Sequence, residues 1–319
     1  MGLELKMPAL RLQAADKLLC AALVALLIAG FIAMSSASIE FARNQYENPF
    51  HHMQRHGFYL VLAVLGGIAV FHMPTAKLDR HGWWLLLLGV ALLCLVLVVG
   101  REVNGSRRWL AIGPFTLQVS EFVKIFVIIY MAGYLVRRSE EVRSNLAGFL
   151  KPLAVMSILI VLLLAEPDFG AAVVMMGTVM GMLFLGGARL WQFLTLSAVC
   201  AVAAGAMVAT SDYRMERLLA YTNPWEHQYD ISYQLVQALI AFGRGEWFGV
   251  GLGNSVQKLS YLPEAHTDFV FAILAEEMGV VGVLVVLALF ATLVGRMLQV
   301  GRRAEQQGCL LYTSDAADD

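Results

Sequence analysis

The chain has 319 residues, of which 59% are hydrophobic and only 15% charged, and its formal net charge is −1. Soluble domains average about 45 to 50% apolar residues, so this composition, with a mean hydropathy of +0.68, excludes an ordinary soluble domain. It predicts an all-α integral membrane protein. The chain has no excess of basic residues that would favour binding to nucleic acid. Its four scattered cysteines do not have the spacing of a zinc site.

Apolar runs along the chain predict the membrane-crossing helices. A crossing helix needs about 20 mostly apolar residues, and fewer where protein shelters its ends. The predicted spans are residues 17–37, 57–73, 83–100, 122–136, 152–166, 169–187, 190–210 and 270–296. The predicted fold is therefore a polytopic helical bundle of about eight spans, with residues 1–303 forming a single membrane domain.

The distribution of Lys and Arg predicts the orientation of the bundle. These residues are denser in the segments that face the cytoplasm when the N-terminus is inside, so the positive-inside rule places the N-terminus in the cytoplasm. Three connections then lie outside, at residues 38–56, 101–121 and 211–269. The long connection 211–269 precedes the last span, and long loops in compact bundles are commonly functional.

Two stretches inside the long connection have their own pattern. Residues 233–242 carry apolar side chains at helical spacing and predict a helix. Residues 243–255 contain five glycines, which could be mistaken for a dinucleotide-binding loop. Because no βαβ unit surrounds them, we expect a turn that packs closely against helices.

Ionisable residues lie near the predicted outer ends of three different spans. In "QVSEFVKIF", Ser120 is expected to cap a helix, and Glu121 and Lys124 fall on one helical face. In "AEPDFG", the proline breaks the helix beside Asp168, and Asp268 ends "YLPEAHTD" just before the last span. Each charge could be a structural ion pair or part of a site, but the convergence of Lys124, Asp168 and Asp268 favours a site.

Other polar residues of the predicted outer segments are weaker candidates. Glu264 and His266 precede Asp268 and are expected to be supporting or interfacial residues. Four arginines have two interpretations: they are solvated residues at the membrane interface, or their guanidinium groups bind an anion such as phosphate. They are Arg107, Arg108, Arg214 and Arg217.

Four separated motifs carry a family resemblance. "NGSRRWL" with "QVSEFVKI", "AEPDFGAAVV", "NPWEHQYDISYQLVQ" and "GVGLGNSVQKLSYLPEAHTDF" occur in order within about residues 15 to 300. The chain resembles the SEDS family (shape, elongation, division, sporulation) of peptidoglycan polymerases, and most closely its cell-division members. The resemblance implies polymerisation of lipid II at the outer face of the cytoplasmic (inner) membrane during septal cell-wall synthesis.

The resemblance also implies partners and roles for individual residues. A class B penicillin-binding protein, the septal transpeptidase, and other divisome membrane proteins are the implied partners, together with membrane lipid. Asp268 matches the essential acid of the family and is expected to act as general base, with Lys124 keeping it ionised. Asp168 matches an acid considered for structure or cation binding, so Mg²⁺ or Mn²⁺ is the one cofactor left open. Glu121 would support the site, and the four arginines would face the diphosphate.

The chain departs from the family pattern at its end. Family members usually have ten spans, whereas the eighth apolar run here is followed by "GRRAEQQGCLLYTSDAADD". Residues 304–319 are expected to be a tail outside the family pattern, produced by truncation or a misread frame. Two other classes of function stay open: a transporter (flippase) of lipid II or another lipid-linked precursor, and a non-catalytic divisome scaffold.

Overall fold

The computed structural model describes residues 16–103, 106–113, 115–210 and 212–306, and most of these residues are helical. The helices are α1 Lys17–Tyr46, α2 His51–Phe71, α3 Thr75–Arg80, α4 Gly82–Val99, α5 Val119–Arg137, α6 Ser139–Ser144, α7 Leu146–Ala165, α8 Phe169–Leu185, α9 Leu190–Ala209, α10 Asp212–Thr222, α11 Tyr233–Gly245 and α12 Val270–Gln306.

The apolar helices lie where the sequence predicts spans. Among the described residues, six helices are long and apolar enough to cross a membrane, namely α1, α2, α4, α5, α7 and α12. Helices α8 and α9 are apolar too, but their apolar helical segments, Phe169–Leu185 and Leu190–Ala206, are shorter than the length required of a crossing helix. The polytopic helical fold is therefore confirmed, while the number of eight crossings stays a prediction.

The chain divides into two compact units. Among the described residues, the terminal unit comprises those within 16–72 and 206–306, and the central unit comprises those within 73–205. The single domain predicted for residues 1–303 stays a prediction. Residues 304–306 of the predicted tail continue α12, and the rest of that tail lies outside the described residues.

The segments predicted as outer loops contain regular structure. Helix α1 continues to Tyr46, where Glu47 ends it in a left-handed conformation, so most of residues 38–56 is helical. Within the connection predicted at residues 101–121, three strands form an antiparallel sheet of order β1-β2-β3. The strands are β1 Arg101–Val103, β2 Ser106–Ile112 and β3 Phe115–Gln118. Strands β1 and β3 are short, and β2, with the sequence SRRWLAI, does not alternate polar and apolar residues.

The core of the central unit fixes the ends of α5 and α8. Most of its fully buried side chains come from α4, α5, α7 and α8, and they include Leu93, Met131, Leu159 and Leu183, each with 0% exposure. Lipid tails are as apolar as leucine, so these contacts stabilise the unit through close packing rather than through exclusion of water. The consequence is a fixed relation between the first turns of α5 and α8.

The core of the terminal unit is built from small side chains. One buried cluster consists of Ala37, Ala238, Ala241, Leu262, Ala265, Ala272 and Ile273, and a second consists of Ala33, Leu274 and Val286. Small residues let helix backbones approach closely in membrane proteins. Because Leu262 and Ala265 belong to the first cluster, the segment before α12 rests on α1, α11 and α12.

Candidate functional site

Lys124 and Glu121 form an ion pair in the first turns of α5. The Lys124 Nζ lies 2.8 Å from Glu121 Oε1, and the two side chains are 26% and 57% exposed. The predicted shared face is therefore confirmed. The predicted cap is wrong: β3 runs directly into α5, whose N-cap is Gln118, so Ser120 lies inside the first turn. Its hydroxyl donates to Asp168 Oδ2 at 3.2 Å instead.

Asp168 connects α8 to α5. Helix α7 ends at Ala165 and α8 begins at Phe169, which confirms the predicted break at Pro167. Asp168 is the N-cap of α8 and accepts from the Ala171 amide at 3.2 Å through Oδ1, while Oδ2 accepts from Ser120. The carboxylate is only 5% exposed. Both of its oxygens thus serve contacts within the central unit.

Glu166 is a buried acid that the sequence did not single out as a site residue. It is 1% exposed, and in the described part of the chain neither carboxylate oxygen has a hydrogen-bond partner.

The two adjacent arginines on β2 have different environments. Arg108 donates through Nε to the Glu166 carbonyl at 3.3 Å and through a terminal nitrogen to the Pro167 carbonyl. It satisfies carbonyls that are left open where α7 ends. Arg107 lies 3.6 Å from Glu102, and both side chains are more than half exposed. Arg107 is thus free of the backbone contacts that engage Arg108.

The other two predicted arginines belong to the terminal unit. The backbone of Arg214 and Arg217 lies in α10. Their side chains lie outside the described residues, so anion capture by them stays a prediction.

Asp268 is exposed on a tight turn that leads into α12. Glu264 adopts a φ of 54°, and its carbonyl accepts from the Thr267 and Phe269 amides at 3.2 Å each. Its carboxylate also accepts from the Thr267 hydroxyl at 2.8 Å. Glu264 therefore shapes the turn that presents Asp268, and its supporting role in a site stays a prediction.

His266 lies in an aromatic cluster at the same turn. Its ring stacks on Phe41 with a centroid distance of 4.6 Å and lies 5.0 Å from the His52 ring. Burial lowers the pKa of His266 below its usual value, although the Glu264 charge opposes the effect. The ring is therefore mainly neutral at pH 7.

A cleft of about 210 Å³ opens beside this turn within the terminal unit. It lies among α10, α11 and the residue that follows Asp268. The lining residues are Ala220, Tyr221, Ile231, Ser232, Gln234, Leu235 and Phe269. The lining therefore combines the aromatic rings of Tyr221 and Phe269 with the hydroxyl group of Ser232 and the amide group of Gln234.

Helix α12 is broken at Gly279, where φ is 64° and ψ is −168°. Residues 246–251 replace the helical hydrogen bonds lost at the break. The Val250 and Gly251 amides donate to the Glu276 and Glu277 carbonyls at 3.0 and 3.1 Å. The Val280 and Val281 amides donate to residues 246 and 247 at 2.9 and 3.1 Å. Broken helices in membranes require such replacement partners.

The glycines of residues 243–255 allow this close approach. A Cβ on Gly249 would lie 2.1 Å from the Glu277 carbonyl oxygen, and one on Gly245 would lie 2.1 Å from the Ala275 carbonyl oxygen. The predicted close-packed turn is therefore confirmed. The same region holds buried polar residues that were not predicted as site residues, namely Lys258, Glu276 and Glu277.

The predicted site residues are thus divided between the units. Lys124 and Asp168 lie in the central unit, where Ser120 of the same helix as Lys124 contacts Asp168, and Glu264, His266 and Asp268 lie on one turn of the terminal unit. The predicted ion pair between Lys124 and Asp268 stays a prediction. Among the described ranges, no group of three or more His, Cys, Asp or Glu residues could hold a metal ion. A divalent cation at Asp168 stays a prediction.

Comparison with known proteins identifies the family. The family model named for FtsW, RodA and SpoVE, described as "Cell cycle protein", matches residues 16–313. The chain belongs to this family. The resemblance predicted from the four motifs is therefore confirmed, and the apolar helices are those of a multi-pass membrane protein of the FtsW, RodA and SpoVE family.

Individual relatives cover most of the chain. The probable peptidoglycan glycosyltransferase FtsW of Nitrosococcus halophilus is 51% identical over 92% of this chain and 76% of its own length. The corresponding protein of Halomonas elongata is 51% identical over 91% of this chain and 74% of its own length.

Two solved structures share the fold. One is a chain from work described as "Structural coordination of polymerization and crosslinking by a peptidoglycan synthase complex". Its TM-score is 0.70 and its sequence identity is 26%, and the match covers 88% of this chain and 76% of that chain. The other is the rod shape determining protein RodA of Thermus thermophilus, with a TM-score of 0.63 and 24% identity over 89% of this chain and 74% of that one.

Proposed function

We propose that the chain is a peptidoglycan glycosyltransferase that polymerises lipid II into glycan strands at the outer face of the cytoplasmic membrane during septal wall synthesis. The observation that carries this proposal is 51% identity, over 92% of the chain, to a relative named as a probable peptidoglycan glycosyltransferase. The exposed Asp268, on a turn built by Glu264, supplies a carboxylate suited to the chemistry.

The proposed reaction transfers a disaccharide between two lipid-linked molecules. The 4-hydroxyl oxygen of the acceptor sugar attacks the anomeric carbon of the donor, and its proton passes to the Asp268 carboxylate. The bond between the anomeric carbon and the diphosphate oxygen breaks, and undecaprenyl diphosphate leaves with the bonding electrons. Asp268 then releases its proton to water.

Cationic side chains would stabilise the negative charge of the leaving diphosphate. Arg107 is the described arginine best suited to this role, because it is more than half exposed and its one ion pair is at the surface. Arg108 instead holds the backbone at residues 166 and 167. Lys124, with its Glu121 partner, would keep Asp268 ionised, and a divalent cation at Asp168 remains a further proposal.

Substrate sugars and a protein partner complete the proposal. The cleft beside Phe269 combines an aromatic ring, Tyr221 and Gln234, a lining suited to a sugar ring with its hydroxyl and amide groups. A class B penicillin-binding protein is the proposed partner in the divisome. This partner is supported by the similar chain solved in a complex that is described as coordinating polymerization and crosslinking.

The competing function is translocation of a lipid-linked precursor. The break in α12 at Gly279 favours it, because discontinuous helices are typical of transporter binding sites. A non-catalytic divisome scaffold is the third alternative, and it would require neither an exposed acid nor a cleft.

One experiment separates the three functions. The purified chain in proteoliposomes is supplied with labelled lipid II, and glycan products and transbilayer movement are measured for the wild type and for Asp268→Asn. The glycosyltransferase proposal expects long glycan products from the wild type and none from the folded variant. Movement of lipid II without polymer would support the transporter, and absence of both activities would support the scaffold.

A further inference from the structure

A buried polar cluster joins three elements of the terminal unit. The Lys258 Nζ lies 2.7 Å from Glu277 Oε1 and 3.0 Å from Ser36 Oγ. The Ser36 hydroxyl lies 2.7 and 2.9 Å from the two Glu277 oxygens. Ser36 belongs to α1 and Glu277 to α12, whereas Lys258 belongs to the segment that leads to Asp268. We call these three residues the Lys258 clasp.

The clasp is almost inaccessible to solvent. The Lys258 and Glu277 side chains are only 8% and 2% exposed. Burial of an ion pair costs as much as its attraction returns, and well-packed hydrophobic residues are often as stable or more stable. Hydrogen bonds depend on the orientation of donor and acceptor, whereas hydrophobic contacts do not. The short hydrogen bonds of the clasp therefore define where the Lys258 backbone lies relative to α1 and α12.

Glu276 fixes the residues just before Lys258. Its carboxylate is 0% exposed and accepts from the Val256 amide at 3.1 Å and the Gln257 amide at 3.3 Å. It also accepts from the Ser255 hydroxyl. Adjacent glutamates on α12 therefore hold successive parts of the same segment.

The restraint continues from the clasp to Asp268. The Leu262 amide donates to the Gln257 carbonyl at 2.9 Å, and Leu262 and Ala265 are 3% and 5% exposed in the terminal core. The Phe269 amide then donates to the Glu264 carbonyl. Every turn between Lys258 and Asp268 thus has a fixed contact, while the Asp268 side chain itself is exposed.

We propose that Ser36, Lys258 and Glu277 are positioning residues of the glycosyltransferase, which act by fixing the segment that presents Asp268. This inference rests on the proposed function. A base must lie within hydrogen-bond distance of the proton that it removes, and a misplacement of about 1 Å can cost on the order of 100-fold in rate. The clasp supplies this placement from inside the helical unit.

The test replaces the clasp with apolar side chains of similar size. The triple variant Ser36→Ala, Lys258→Met, Glu277→Leu removes all three polar groups together, so no unpaired charge stays buried. The matched control, Asp16→Asn with Arg296→Met, removes another ion pair between the start of α1 and α12, in which Arg296 Nε donates to Asp16 Oδ1 at 3.1 Å. Both proteins are compared with the wild type by thermal unfolding, hydrogen exchange of residues 255–268 and polymerisation kinetics.

The expected result separates positioning from folding. The triple variant unfolds at or above the wild-type temperature, exchanges faster across residues 255–268, and loses about 10- to 100-fold in kcat with KM changed by less than about twofold. The control pair leaves all of these values at the wild-type level. A folded triple variant with wild-type exchange and wild-type kcat would overturn the clasp.

Hydrogen exchange also distinguishes failure of the clasp from failure of the proposed function. If the wild type forms no polymer, the glycosyltransferase proposal fails, and the positioning role in that reaction fails with it. Faster exchange in the triple variant would then leave the clasp as a restraint on residues 255–268 only. If the triple variant unfolds cooperatively at a much lower temperature, the clasp is a folding element and the proposal is wrong.

Discussion

The two units bury acidic side chains in opposite ways. In the central unit, Glu166 is 1% exposed and neither of its carboxylate oxygens has a partner among the described residues. In the terminal unit, Glu277 is 2% exposed and accepts from Ser36 and Lys258. A buried acid with donors keeps a fixed geometry, whereas one without donors is driven towards its neutral form. Burial alone therefore does not tell whether a carboxyl group is a charged anchor or a proton-binding group.

The largest expected effect comes from breaking the clasp on one side. Glu277→Leu leaves the Lys258 ammonium buried without its carboxylate, which typically costs about 3 to 5 kcal/mol. We expect a large drop in the unfolding free energy in detergent, recovered when Ser36→Ala and Lys258→Met are added. Equal stability of the single and triple variants would show that the pair is not coupled. Glu102→Leu, which removes an exposed pair with Arg107, is the matched control and should change stability little.

A smaller effect is expected where glycine lets the chain approach the break in α12. Gly249→Ala places a Cβ 2.1 Å from the Glu277 carbonyl oxygen at a φ of 80°. Gly253 has a similar φ of 84° but open space around a Cβ. Gly253→Ala should cost about 1 to 2 kcal/mol for the left-handed backbone alone, and Gly249→Ala clearly more. Equal losses in thermal unfolding would mean that the close approach does not constrain the segment.

The smallest effects concern the adjacent arginines. Arg108→Met removes the donors to the carbonyls of residues 166 and 167 and should cost about 1 to 3 kcal/mol. Arg107→Met removes an exposed pair and should change the unfolding free energy by less than about 1 kcal/mol. In polymerisation assays we expect the opposite ranking of the two variants. Arg107→Met should lower the polymerisation rate more than Arg108→Met, without unfolding the chain, because Arg107 is proposed to face the diphosphate.

The sequence predicted the helices better than the contacts between them. Long apolar runs located the helices, since membrane crossing imposes length and composition directly. The motif around Asp268 and the tight glycine turn were also predictable from short local patterns. The clasp was not, because Lys258 and Ser36 are 222 positions apart and meet only through tertiary structure. Ser120 was misassigned as a cap because the sheet that precedes α5 could not be recognised from its short strands.

The most direct test of the account compares two exposed acids in the same predicted outer segment. Polymerisation of labelled lipid II is measured for the wild type, Asp268→Asn and Asp230→Asn, with folding checked for each variant by thermal unfolding. Both substitutions replace a carboxylate with an amide of the same shape at exposed positions. We predict that Asp268→Asn forms no glycan strands and that Asp230→Asn polymerises at the wild-type rate. Glycan strands of wild-type length from a folded Asp268→Asn chain would contradict it.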